Sequence, residues 1–154
     1  MKKHNTKQRI SWDEYFFQIA QLAAKRSTCL KNKQGAVIVK DKRILTTGYN
    51  GAPVKSPHCL ETGCLRDEEG LKNNTEKLEV CRGLDAIQNA IIQAVICGVS
   101  IKDSVLYTTC IPSIMSAKII INAGIKEIFT AEKKLAKLAN ELLRQSKIKI
   151  RKIK

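Results

Sequence analysis

Histidine is nearly missing from this chain. Of its 154 residues only His4 and His58 are histidine, so the second half has no imidazole to serve as ligand or base. Also missing is any apolar run long enough to span a bilayer. The N-terminus, Met-Lys-Lys-His-Asn-Thr-Lys, is basic but lacks the apolar segment of a secretory signal. The expectation is a soluble cytoplasmic protein. Aromatic residues make up 5% and are little interleaved with basic ones, which argues against stacking on single-stranded bases. There is no internal repeat and no low-complexity segment. Acidic residues are scarce against basic ones, 14 to 28, giving a net charge of +14.

What is present suits one globular domain with a real core: 44% hydrophobic and 27% charged residues. The expected organisation is a basic N-terminal tail at 1–10 and a single domain at 11–154. Much of the positive excess lies in Lys147, Lys149, Arg151, Lys152 and Lys154, interspersed with Ile. A polyanion partner, nucleic acid or a nucleotide phosphate, is one reading. The alternation favours the other, an edge strand whose lysine-rich face discourages pairing with a further strand. With no export signal, the six cysteines (Cys29, Cys59, Cys64, Cys81, Cys97 and Cys110) point to metal binding or buried thiols rather than disulfides.

Ser11-Trp-Asp-Glu14 reads as a capping box. It opens a helix ending near Ser27, with Tyr15, Phe16, Ile19, Leu22 and Ala23 at helical spacing. Residues 35–40 and 43–48 read as a hairpin turning at Asp41-Lys42. Residues 50–80 form a long loop rich in Gly, Pro, Asn and charge. Such a loop in a compact domain is functional or pinned by something. Then come a helix at 84–98 with Ala86, Ala90, Ile91 and Val95 on its apolar face, and a strand at 104–109. The next helix has Pro112 at its first position, reaches Asn122 and stops at Gly124. A strand at 126–130, a helix at 132–144 and a strand at 147–153 complete an α/β layered domain with a mixed sheet.

Two helix starts carry the functional signal. Residues 84–90 read Leu-Asp-Ala-Ile-Gln-Asn-Ala and residues 112–118 read Pro-Ser-Ile-Met-Ser-Ala-Lys. They look like the two halves of the zinc-deaminase signature, H-x-E followed by P-C-x-x-C. Further carriers are Arg26-Ser-Thr-Cys-Leu30, Gly35-Ala-Val-Ile-Val39, Thr47-Gly-Tyr-Asn-Gly-Ala-Pro53, His58-Cys59, Gly63-Cys-Leu-Arg66, Cys81-Arg-Gly-Leu84 and Ala117 to Lys126. With these the chain resembles the deoxycytidylate (dCMP) deaminases, over roughly residues 10–132. The resemblance implies a cytidine deaminase-like three-layer α/β/α domain with a five-stranded mixed sheet. It also implies hydrolysis of dCMP to dUMP and ammonia, and oligomers regulated by nucleotides.

At the four chemistry positions the residues differ from that signature. Asp85 stands for the His, Ile87 for the Glu, and Ser113 and Ser116 for the two Cys. The reaction needs a zinc held by one His or Cys and two Cys, with a water in the fourth position whose pKa the metal lowers. A serine hydroxyl is a poor zinc donor beside a thiolate, and Ile87 cannot move a proton. Asp85 and the serines also suit ordinary helix starts. The expectation is a non-catalytic protein without catalytic zinc. An active deaminase with an unexpected metal arrangement and a basic nucleic-acid-binding module are the alternatives.

The resemblance implies a second, structural zinc at Cys29, Cys59, Cys64 and Cys81, which would pin the long loop. Four unrelated thiols are the alternative. His58 is not needed as a ligand, because four Cys complete a tetrahedron. Cys97 and Cys110 read as small buried residues. The resemblance also puts Asn50 and Gly51 at the substrate nucleotide, Arg26, Ser27 and Thr28 near its phosphate, and Tyr107 at the pocket border. Their local readings are a turn pair for Asn-Gly and a core position for Tyr107. Ile87 is expected to make the pocket floor apolar. A pyrimidine deoxynucleotide is the expected ligand and a homo-oligomer the expected assembly.

Overall fold

The computed structural model describes residues 9–71, 80–131 and 136–153. The tail up to residue 8, the last part of the long loop and the start of the helix expected at 132–144 lie outside the described residues. Five strands form one sheet, in the order β2-β1-β3-β4-β5. They are β1 (Gly35–Lys40), β2 (Arg43–Tyr49), β3 (Val105–Thr108), β4 (Glu127–Thr130) and β5 (Lys149–Lys152). β1 runs antiparallel to β2 and β3, while β3, β4 and β5 are mutually parallel. The sheet is therefore mixed, as expected. β5 is its lysine-bearing edge.

Helix α1 (Trp12–Ala24) covers one face. Phe16, Phe17 and Ala20 pack there on Val37, Val39, Tyr107 and Phe129. The other face carries α4 (Ala86–Ile96), α5 (Ile114–Asn122) and α6 (Lys137–Gln145). Ile87, Ala90, Ile120 and Leu143 from these helices share one core with Ile38, Leu106 and Ile128. Full burial of each large apolar side chain contributes about 1.5–3 kcal/mol.

Two helix faces differ from expectation. In α1 the buried residues are Phe16, Phe17, Ala20 and Ala24, while Tyr15 and Leu22 are exposed. The cause is Gly35. A Cβ there would strike the backbone of Ala20 and Ala24, so the helix lies directly on β1 through its smallest residues. The same device holds α4 on β2, where a Cβ on Gly48 would meet the backbone of Ala86 and Ala90. That contact turns Ala86, Ala90 and Ala94 inward and leaves Val95 exposed.

The segment 50–80 is not a plain loop. It contains α2 (Cys59–Thr62) and α3 (Leu65–Glu68), and Lys31 forms an ion pair with Asp67 of α3. Its two ends are tied by an isolated bridge, with Gly51 N–H donating to Leu84 O at 3.2 Å and Leu84 N–H to Gly51 O at 3.0 Å. Pro112 does not open α5. Ser113 is the N-cap, its Oγ accepting from Ser116 N–H at 3.1 Å, and Pro112 precedes it fully buried. A serine with a free hydroxyl outcompetes the proline because it satisfies an orphan N–H at the helix start.

Candidate functional site

The first turns of α4 and α5 meet beside the C-terminal end of β3. Asp85 caps α4: Oδ1 accepts from Gln88 N–H at 2.8 Å, and Gln88 Oε1 accepts from Asp85 N–H at 3.1 Å. Its other oxygen, Oδ2, accepts from Ser116 Oγ. Ser113 Oγ lies 3.0 Å from Ser116 Oγ and 3.5 Å from Asp85 Oδ2. Three of the four positions singled out in the sequence thus form one hydrogen-bonded cluster. The fourth does not. Ile87 is fully buried in the main core and does not line the cleft in front of the cluster, so it is a packing residue rather than an apolar pocket floor.

That cleft has a volume of about 630 Å³. Asp85, Gln88, Ser113 and Met115 line it, together with Cys29, Cys59, Cys64 and Cys81. Lys31, Arg66 and Arg82 also line it. Arg82 Nε is buried without a hydrogen-bond partner among the described residues. Sequence reasoning missed Gln88 as a cap, although Asp-x-x-Gln is a capping-box pattern. It also missed these three cations, of which Arg66 and Arg82 each stand one or two residues after a cysteine.

The residues expected to touch a nucleotide divide. Asn50 lines the cleft, and both ends of its side-chain amide are tied to the wall. Its Oδ1 accepts from Gln34 N–H at 2.7 Å and its Nδ2 donates to Asn32 O at 2.8 Å. Gly51 forms the bridge to Leu84 and, with Thr28, lines a smaller cavity beside Cys29, Cys59 and Cys81. Ser27 is buried, its Oγ donating to Asn50 O at 2.8 Å. Arg26 is exposed and lines neither cavity. Tyr107 is carried away altogether. Its side chain lies on the α1 face of the sheet, stacked on Phe129, with its hydroxyl donating to Asp13 at 2.7 Å. Strand alternation decides this, since Leu106 takes the α4 face and Tyr107 the opposite one.

Two metal sites have to be tested against the donors present. The cluster of Asp85, Ser113 and Ser116 offers one carboxylate and two hydroxyls, with no thiolate and no imidazole. That set does not suit zinc. Cys29, Cys59, Cys64 and Cys81 offer the donor set of a closed structural zinc. All four are free and half-buried. Burial pushes the Cys59 thiol above its ordinary pKa, and the neighbouring thiols of Cys64, Cys29 and Cys81 add to the rise. Among the described residues no three His, Cys, Asp or Glu side chains stand in a metal-holding arrangement. His58 is the N-cap of α2, and its Nδ1 lies 3.3 Å from Thr28 Oγ1. Cys110 is buried beside Thr108 as expected, whereas Cys97 is exposed at the end of α4.

The helix-flanked mixed sheet, with two helix starts meeting at a cleft, defines a protein of the cytidine deaminase-like fold. The profile described as the cytidine and deoxycytidylate deaminase zinc-binding region matches residues 10–132, and the chain belongs to that family. It is 37% identical over 147 residues to ComE operon protein 2 of Bacillus subtilis, covering 95% of this chain and 73% of that protein. It is 39% identical over 120 residues to the deoxycytidylate deaminase of Schizosaccharomyces pombe, spanning 78% of this chain but only 37% of that enzyme. The dCMP deaminase of cyanophage S-TIM5, solved in complex with dCMP and dUMP, superposes with a TM-score of 0.77 at 26% identity. It covers 95% of this chain and 99% of that one. Among the described residues no helix is long and apolar enough to cross a membrane.

Proposed function

We propose that this chain is a non-catalytic member of the dCMP deaminase family that binds a pyrimidine deoxynucleotide in its cleft. The observation that carries the reading is the cluster of Asp85, Ser113 and Ser116. Where the family signature calls for zinc ligands, these three groups are hydrogen-bonded to one another, and Ile87 is packed in the core. Without a thiolate or imidazole the centre has no means of lowering a water's pKa. Without a Glu at position 87 it lacks the group that, in the family signature, carries a proton from that water to the base.

Nucleotide binding is supported by the size of the cleft and its cationic lining, and by the dCMP complex of the phage enzyme of similar fold. Cys29, Cys59, Cys64 and Cys81 would hold a structural zinc, which would fix α2 and α3 against the segment at Cys29. We also propose self-association, supported by the apolar stripe of Ile92, Val95 and Ile96 exposed on α4. The deciding experiment measures bound zinc and dUMP formation on the purified protein. One zinc per chain and no dUMP is expected. Two zinc per chain with dUMP formation would establish the other reading, an active deaminase, which the identity to deoxycytidylate deaminases favours. Removing the single zinc with a chelator is expected to lower the thermal midpoint, and sedimentation at rising concentration reports the oligomer.

A further inference from the structure

The direction of the hydrogen bonds in the Asp85 cluster defines what it can accept. Ser116 N–H donates to Ser113 Oγ at 3.1 Å. Ser113 Oγ therefore directs its own proton onward, to Ser116 Oγ at 3.0 Å or to Asp85 Oδ2 at 3.5 Å. Ser116 Oγ donates to Asp85 Oδ2. Both hydroxyl protons are thus used inside the cluster, and a carboxylate has none to offer. What Asp85 and Ser113, the two members that line the cleft, have left to offer is lone pairs alone.

A second feature of the same cleft points to a different group on a ligand. Arg82 Nε is buried with no hydrogen-bond partner among the described residues, and Lys31 and Arg66 line the cleft with it. A buried guanidinium nitrogen without an acceptor is costly unless a ligand supplies one. The cleft thus offers both acceptors for an N–H group and donors for an anion. A ligand that uses both carries an amine and a phosphate.

We propose that Asp85 makes the cleft a selective binder of the amino-bearing pyrimidine nucleotide, retaining dCMP unchanged and rejecting its oxo counterpart dUMP. The 4-amino group of cytosine donates into the lone pairs of Asp85 and Ser113, the two members of the cluster that line the cleft. The 4-oxo group of uracil brings further lone pairs to the Asp85 cluster, which has no proton to give. A site that presents acceptors to a ligand N–H discriminates against the analogue that brings an acceptor instead, because lone pairs then face lone pairs with no proton between them. The inference rests on nucleotide binding as proposed above, and adds a residue and a selectivity to it.

The test is equilibrium binding of dCMP and dUMP to the full chain by calorimetry, with chromatography of the recovered nucleotide. The expected result is at least a tenfold preference for dCMP, with dCMP recovered intact. In Asp85→Asn, which keeps a competent helix cap but can turn an amide N–H toward the ligand, the preference falls below about threefold. Its thermal midpoint is measured beside the wild type to show that it folds. Equal binding of dCMP and dUMP by the wild type would overturn the selectivity and leave nucleotide binding standing. Binding of neither would overturn both. An unchanged preference in folded Asp85→Asn would remove Asp85 from the role, and recovery of dUMP would overturn retention without turnover.

Discussion

Ser116 Oγ donates a hydrogen bond to Asp85 Oδ2 and so joins the first turn of α5 to the N-cap of α4. Ser116 is fully buried, and hydrogen bonds to a charged group contribute more than neutral ones, about 1.5–3 kcal/mol. A double-mutant cycle with Asp85→Ala and Ser116→Ala is expected to give a coupling energy of about 1–2 kcal/mol. Asp85→Ala alone should cost about 1 kcal/mol more than Ser116→Ala, because it also removes the α4 cap. Denaturant unfolding of the four proteins measures both; additive losses would show that the two helix starts are independent.

The geometry also states what restoring the chemistry requires. Since Asp85, Ser113 and Ser116 already converge, the triple variant Asp85→His, Ser113→Cys, Ser116→Cys is expected to gain one zinc per chain over the wild type. Turnover needs Ile87→Glu as well. On its own, Ile87→Glu places a carboxyl in the core and is expected to lower stability by about 3 kcal/mol. Metal analysis and dUMP formation across the triple and quadruple variants separate metal capture from proton transfer.

Gly35 and Gly48 set the spacing between helices and sheet. A methyl group at either would meet backbone rather than a side chain that can move aside. Gly35→Ala and Gly48→Ala are each expected to cost at least about 1–3 kcal/mol. At Gly51, where a Cβ would lie 3.4 Å from Thr28 Oγ1, alanine should change stability by less than about 0.5 kcal/mol. Thermal or denaturant midpoints of the three variants check the contrast.

The order of elements was legible because each strand and helix carries its own period, and the five-stranded mixed sheet followed from it. The helix faces were less legible. Tyr15 and Leu22 satisfy helical spacing, yet Gly35 draws the small residues Ala20 and Ala24 inward instead, while in α4 Ala86 and Ala90 face inward as expected and Val95 alone of the expected face is left exposed. Spacing records which residues are apolar, not which are small enough for backbone contact. Within the site, the convergence of Asp85, Ser113 and Ser116 was readable from two motifs. The fate of Ile87 and Tyr107 was not, because it depends on which side of a helix or strand faces the cleft. The bridge between Gly51 and Leu84 was invisible for a related reason, being a pairing across more than thirty residues.

Tyr107 supplies a pH test of the α1 face. Burial, followed by the hydrogen bond to Asp13 and the charges of Asp13 and Glu127, raises its pKa well above the ordinary tyrosine value of 10.0. The folded protein thus holds this proton more tightly than the unfolded chain. Its contribution to stability is complete below about pH 10, where both states are protonated. It is lost as the pH rises toward and through the raised folded value. Stability should therefore fall with pH above about 10, and Tyr107→Phe should flatten that fall. At neutral pH the same variant loses the hydrogen bond to Asp13 at a cost of about 1 kcal/mol or more. Ultraviolet titration of tyrosinate should show a late component in the wild type that is absent from the variant. Identical alkaline profiles for the two proteins would place the tyrosine outside the packed cluster with Phe16 and Phe129.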